Sequence, residues 1–345
     1  MLVLKYRSKL VVAAAVLAWN SVMAFGEEAP DHTATLSVIE ENDSIGSSSD
    51  KHYTQGARLS LASGATTEGK LVSITDGILL AHKSALQATT YRSSVFFGQS
   101  IFTPENLSLV VPDKRDRPYA GWLYLGAAFY RESSGILDQA EITVGLVGPG
   151  AEGQVVQENW HHISRRYLGA GETARGWGAQ LSSEPGIVLM QTRKWRIPGN
   201  FAMLETDAIP EIGASIGNIF TYAAVGGLIR MGQRISGDWG PPRVQPALSG
   251  PDFIAPAGLD GRYYGWYVFA GTQARLMARN IFLDGNSFTP SASVQKKPLV
   301  ADFTFGFSAV FPVGRATVSY VRRTPEFRAQ TAPDDLLSFA MSFLF

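Results

Sequence analysis

The end of the chain constrains its fold more than any other segment. Leu337, Phe339, Met341, Phe343 and Phe345 fall at every second position of the last ten residues. Alternate side chains of a strand point to opposite faces, so these five large apolar groups form one stripe. Ser338, Ala340 and Ser342 give the other face small groups. Left uncovered at the edge of a soluble sheet, such a strand is a pairing hazard. In a transmembrane barrel the last strand closes on the first and turns its apolar face to lipid. The stripe therefore predicts a closed antiparallel β-barrel.

The start of the chain agrees. Lys5, Arg7 and Lys9 precede an uncharged apolar run from Leu10 to Trp19, and Val22-Met23-Ala24 offers the small residues a signal peptidase reads. This pattern predicts a signal peptide over residues 1–24 and a mature barrel domain over 25–345. The apolar run is too short to span a bilayer. Without residues 1–24 the chain carries 27 basic and 30 acidic side chains, which leaves no nucleic-acid footprint. It has no cysteine, so disulfides, thiolate metal sites and cysteine nucleophiles are excluded. No later run approaches the roughly 18 apolar residues of a spanning helix. An exported chain of this kind is periplasmic, secreted or an outer-membrane barrel. Its 35 glycines, its aromatics and its low charge favour the barrel.

Alternation bounded by turn residues predicts twelve strands: 33–41, 53–63, 90–101, 119–131, 137–147, 184–196, 201–212, 217–231, 262–284, 299–312, 315–326 and 336–345. Segment 262–284 is read as one long strand. An even count keeps both termini on the periplasmic side. Parity then places connections 42–52, 102–118, 148–183 and 327–335 at the outer end. Short turns at Glu132–Gly135, Ile197–Asn200 and Pro312–Gly314 fall at the inner end. Segments 64–89 and 232–261 are long for inner connections, and each is expected to hold a short helix or a folded-in loop. One outer helix is expected over 152–167. Spacing puts Gln154, Gln157 and His161 on one of its faces and Glu158 with His162 on the next.

Parity also collects the unusual polar motifs at the outer end. Glu41-Asn42-Asp43 follows the first strand, and Asp50-Lys51-His52-Tyr53-Thr54-Gln55-Gly56 opens the second. Asp113 to Tyr119 opens the fourth. Glu41–Asp43 and Asp50–Gly56, together with Gln99–Pro104, Asp116–Gly126, Gly145–His161, Gly176-Trp177 with Gln180, Gly217–Phe220 and Glu326-Phe327-Arg328, resemble the outer-membrane lipid A 3′-O-deacylase family. They run in order through nearly all of the mature chain. Gly153-Gln154-x-x-Gln157-x-x-x-His161 and the Asn42-Asp43 pair are the most specific.

The resemblance implies a twelve-stranded barrel whose site lies between the wall and a helix near the outer leaflet. It implies hydrolysis of the 3′ ester of lipid A in lipopolysaccharide, supported by Ca2+, with functional residues at Asn42, Asp43, Thr54 and His161. The residue types suit that chemistry. An imidazole with an ordinary pKa near 6.5 can take a proton from water and return it to the leaving alkoxide, which makes His161 the expected base. Calcium prefers oxygen donors, so Asp43 and Asn42 are the expected metal ligands. Lys114, Arg115 and Arg117 are the candidate substrate contacts, for a phosphate or the oxyanion. Taken alone, Asn42-Asp43 also suits a turn, Thr54 an ordinary strand, and Arg117-Pro118-Tyr119 a structural rim. His52 and His32 read as solvated. The protein is expected to be a monomer. Two other functions remain open: a non-catalytic pore or structural barrel, and a phospholipid esterase using the same groups.

Overall fold

The computed structural model describes residues 34–43, 51–80, 89–159, 174–235, 238–244, 246–247 and 264–345. The expected signal peptide, His32, His161 and His162 lie outside them.

The chain forms a closed antiparallel barrel. Its wall begins with β1 (Thr35–Asn42), β2 (His52–Ala62), β3 (Thr89–Thr103), β4 (Ala120–Ser133), β5 (Ile136–Val147) and β6 (Glu184–Trp195). After the short β7 (Ile197–Phe201), it continues through β8 (Leu204–Gly217), β9 (Phe220–Gln233), β10 (Gly265–Asn280), β11 (Leu299–Phe311), β12 (Gly314–Arg323) and β13 (Asp334–Leu344). Each strand pairs with its neighbours, β1 pairs with β13, and β6 pairs with β8 across β7. Twelve strands therefore make the wall, as the alternation predicts. β7 pairs only with β8, and it occupies the stretch expected to be a turn at Ile197–Asn200. The turn falls instead at Ala202, whose φ of 54° is left-handed. Within the 262–284 segment the described residues form one strand, Gly265–Asn280, ending in a helical turn, Ile281–Asp284.

Alternation sorts the side chains as a membrane barrel requires. Phe303, Phe305 and Phe307 of β11 and Phe339, Met341 and Phe343 of β13 are exposed on the outside. Each of these would cost about 1.5–3 kcal/mol in water relative to burial. Inward positions carry charge. Asp302 lies between Arg275 at 2.7 Å and Arg323 at 2.9 Å.

The lumen is filled. The first long connection takes no part in this: its helix α1 (Lys70–Ile78) lies against the outside of the wall at the inner end, where Asp76 accepts the hydroxyl of Tyr91 and binds Arg131 at 2.9 Å, both outward residues. From the second long connection, Asp238 pairs with Arg230 and Arg315. Farther along, Arg243 meets Glu41 at 2.8 Å and Asp302 at 3.3 Å, and Val244 packs on Ile39 and Ala340. The described residues of this segment climb inside the barrel from its inner end towards the outer rim, so of the two long connections one holds a short helix on the outside and the other folds into the lumen. At the outer end Phe282, in the short helix following β10, stacks on Phe102 with ring centres 3.9 Å apart.

Candidate active site

The register aligns a row of polar groups on the outside of the wall. Val38, Glu40 and Asn42 alternate outward on β1, opposite Leu59, Ala57 and Gln55 of β2. Gln55 and Ala57 in turn face Ile101 and Gln99 of β3. Below the row the wall is apolar, with Val38, Leu59, Phe97 and Leu125 exposed. Near the outer rim it becomes Glu40, Asn42, Gln55 and Gln99. A polar notch is thus cut into the lipid-facing surface at one end.

A β-bulge brings Thr54 into this notch. The pairing of β2 with β3 slips between Tyr53 and Gln55, so Thr54 is the extra residue. A bulge re-aims a side chain that plain alternation would send inward. Here Thr54 Oγ1 lies 2.7 Å from Oγ1 of Thr103, the outward residue at the end of β3. Tyr53 stays buried inside. A Cβ on Gly56 would fall 1.8 Å from its hydroxyl, so glycine is needed there. Asn42, Asp43, Thr54 and Thr103 are all at most 3% exposed. Asp43 Oδ2 accepts the Lys51 backbone N–H at 2.5 Å.

A helix flanks the notch. Following a short 3-10 turn (Pro149–Ala151), α2 spans described residues 153–159. It lies against the outer surface because two glycines permit it. A Cβ on Gly121 of β4 would come within 3.2 Å of Gly153. Gln99 Nε2 donates to the Ala151 carbonyl at 2.6 Å. Gln157 faces inward at 1% exposure and accepts the Trp177 indole N–H at 2.8 Å. Gln154 does not share that face: it is exposed and donates to Glu158. His161 follows Gln157 by four residues, outside the described residues.

The basic candidates divide. Arg117 is fully buried, binds Glu326 Oε2 at 3.2 Å and lies over the Phe102 ring at 4.8 Å. This burial and ion pair suit the structural reading of Arg117, tying two connections inside the rim. Burial alone would raise the Glu326 pKa, but the guanidiniums of Arg323 and Arg117 outweigh it and hold the carboxyl below its usual range. Arg115 is exposed and folds back on Asp113 at 2.8 Å. Its hydrogen bonds hold the Asp113 pKa down at about 2. Lys114 is exposed beside them.

Sequence reading missed two groups. Glu40, bonded to Gln55, stands in the outward row one turn of the alternation from Asn42. His52, expected to be solvated, is 3% exposed, with Nδ1 2.7 Å from Asp334 Oδ1.

The fold has known counterparts. Residues 10–345 match the family model described as outer membrane protein LpxR. LpxR from Salmonella typhimurium superposes with a TM-score of 0.70 at 19% identity, covering 90% of this chain and 100% of its own. The translocator domain of the autotransporter NalP from Neisseria meningitidis gives 0.41 at 8% identity, with 98% of each chain covered. The β domain of the Bordetella autotransporter BrkA gives 0.44 at 10%, covering 92% of this chain and 99% of its own. Among curated proteins none matches. The family match spans nearly the whole sequence and the barrel superposes on a member, so this chain belongs to the outer membrane protein LpxR family and resides in an outer membrane.

Proposed function

We propose that this protein is a lipid A 3′-O-deacylase: it hydrolyses the ester at the 3′ position and releases an acyloxyacyl group. Membership of the LpxR family supports this reading. The observation that carries it is the position of the polar notch. Asn42, Thr54 and Thr103 lie outside the barrel, near the outer rim, beside an apolar wall, and the turn leading into α2 is fastened to Gln99 of the same face. A lipid in the outer leaflet meets such a site sideways, with its acyl chains against Val38, Leu59 and Phe97 and its ester at the polar row.

In the proposed mechanism His161 takes a proton from water as the oxygen attacks the ester carbonyl. The tetrahedral oxyanion then collapses, the carbon–oxygen bond to the sugar breaks, and the proton passes to the leaving alkoxide. Thr54, fixed by Thr103, orients the water or the imidazole. Gln157, held by Trp177, fixes the turn preceding His161. Lys114 and Arg115 are exposed cations suited to a lipid A phosphate.

Calcium suits the donors at the end of β1. Asn42 and Asp43 offer an amide oxygen and a carboxylate, both buried, which are the hard ligands this cation selects. Among the described residues no cluster of three or more His, Asp or Glu side chains is placed to hold a metal. Asp43 and Asn42 would therefore share the ion with backbone carbonyls and water. When bound, it would polarise the ester carbonyl.

The filled lumen argues against a pore. Incubating the purified protein with lipid A and with phospholipid separates the other readings. Mass spectrometry should show loss of the 3′ acyloxyacyl group. Cleavage of phospholipid alone would favour the phospholipid esterase, and no cleavage of either would refute both enzymes.

A further inference from the structure

We propose that His52 is a positioning residue for this site, an inference that rests on the deacylase reading. His52 opens β2 with a φ of 67°. That left-handed conformation is uncommon for a residue with a β-carbon and persists only where its surroundings hold it. What holds it is the ring. Nδ1 lies 2.7 Å from Asp334 Oδ1 at the start of β13, and the Phe327 ring meets the imidazole edge-on with centres 5.4 Å apart. Nε2 lies 3.8 Å from Asp116 Oδ1.

These partners are themselves fixed. Asp334 Oδ2 accepts Gln330 Nε2 at 3.0 Å, and Gln330 Oε1 accepts the Glu326 N–H at 2.7 Å. Asp116 accepts the backbone N–H groups of Glu105 and Arg117, each at 2.7 Å. One buried ring thus fastens the start of β2 to two other outer connections.

The chain on either side of His52 carries the site. Before it, the Lys51 N–H donates to Asp43. Two residues after it, the bulge presents Thr54 to Thr103. Releasing the ring lets residue 52 relax out of the left-handed region, and both contacts shift with it. His52 touches neither the proposed water nor the ester, so its action passes through Asp43 and Thr54.

Three variants separate the tether from the backbone conformation. His52→Ala removes the ring and disfavours the positive φ. His52→Gly removes the ring but accepts that φ. His52→Asn accepts it too and keeps an N–H donor on a short side chain. Folding is checked by heat-modifiable migration. Rates are measured on lipid A, and hydrogen–deuterium exchange is followed in the 51–56 peptide. The alanine and glycine variants should lose about tenfold or more in kcat with KM changed less than about twofold, and exchange there should accelerate. The asparagine variant should stay within about threefold of the parent in kcat, with slow exchange restored. Parental kcat in the glycine variant, equal losses in alanine and asparagine, or unchanged exchange would overturn the proposal. If the parent protein itself leaves lipid A intact, the deacylase reading falls, and exchange still decides whether the ring is the tether.

Discussion

The side-chain oxygens of Thr54 and Thr103 lie 2.7 Å apart on adjacent strands, on the membrane side of the wall. The bulge at Thr54 makes this contact possible, and in the proposed mechanism Thr54 orients the attacking water or the imidazole. Thr54→Val keeps the shape and removes the hydroxyl. Its initial rate on lipid A should fall by about tenfold or more while the barrel still migrates as folded. A parental rate would remove Thr54 from the mechanism.

Trp177 holds the helix that flanks the notch. Trp177→Phe leaves Gln157 Oε1 buried without its indole donor, a cost of about 1–3 kcal/mol. Exchange across 153–159 should accelerate and kcat should drop. Unchanged exchange would mean that packing against Gly121, rather than this hydrogen bond, holds α2.

Asp43 is the charged member of the proposed calcium pair. Asp43→Asn keeps an oxygen but removes the charge that draws a hard cation. The calcium concentration for half-maximal activity should rise by at least about tenfold. An unchanged calcium titration would assign Asp43 to holding the Lys51 N–H alone.

Arg117 and Glu326 form a buried pair inside the rim. Arg117→Ala should destabilise the barrel by about 3–5 kcal/mol, because it strands a buried carboxylate. Adding Glu326→Gln should restore part of that loss, as read from urea unfolding. Acid should act in the same direction. The folded-state pKa of Glu326 lies below its ordinary 4.5, so its contribution is present above that value and fades as pH falls through the lower folded value. Glu326→Gln should show a shallower loss of stability below about pH 4.5 than the parent. Equal slopes would contradict that linkage.

Much of this was legible in the sequence because the period of two carries through most of the wall, broken at the bulges in β2 and β10. The Phe339-x-Met341-x-Phe343 stripe marked the lipid face, and these side chains are exposed on the outside. Parity placed Asn42, Asp43 and Thr54 at one end, and the structure brings them to the β1–β2 rim. The failures concern contacts without a period. His52 sits in a polar run beside Lys51 and reads as solvated, but the partner that buries it is Asp334, 282 positions away. Arg117 is taken up by Glu326 at a separation of 209, and the lumenal Arg243 by Glu41 at 202. Gln154 and Gln157 share a helix face by spacing, but only Gln157 is buried, against Trp177, whose position no local pattern reveals, while Gln154 is exposed and bonds Glu158.

The most direct test of the central claim is mass spectrometry of lipid A from cells producing the parent protein or His161→Ala. The parent should yield lipid A lacking its 3′ acyloxyacyl group, and the variant, folded and in the outer membrane, should leave that group in place. An intact 3′ position with the parent protein, or equal deacylation by both, would contradict the account.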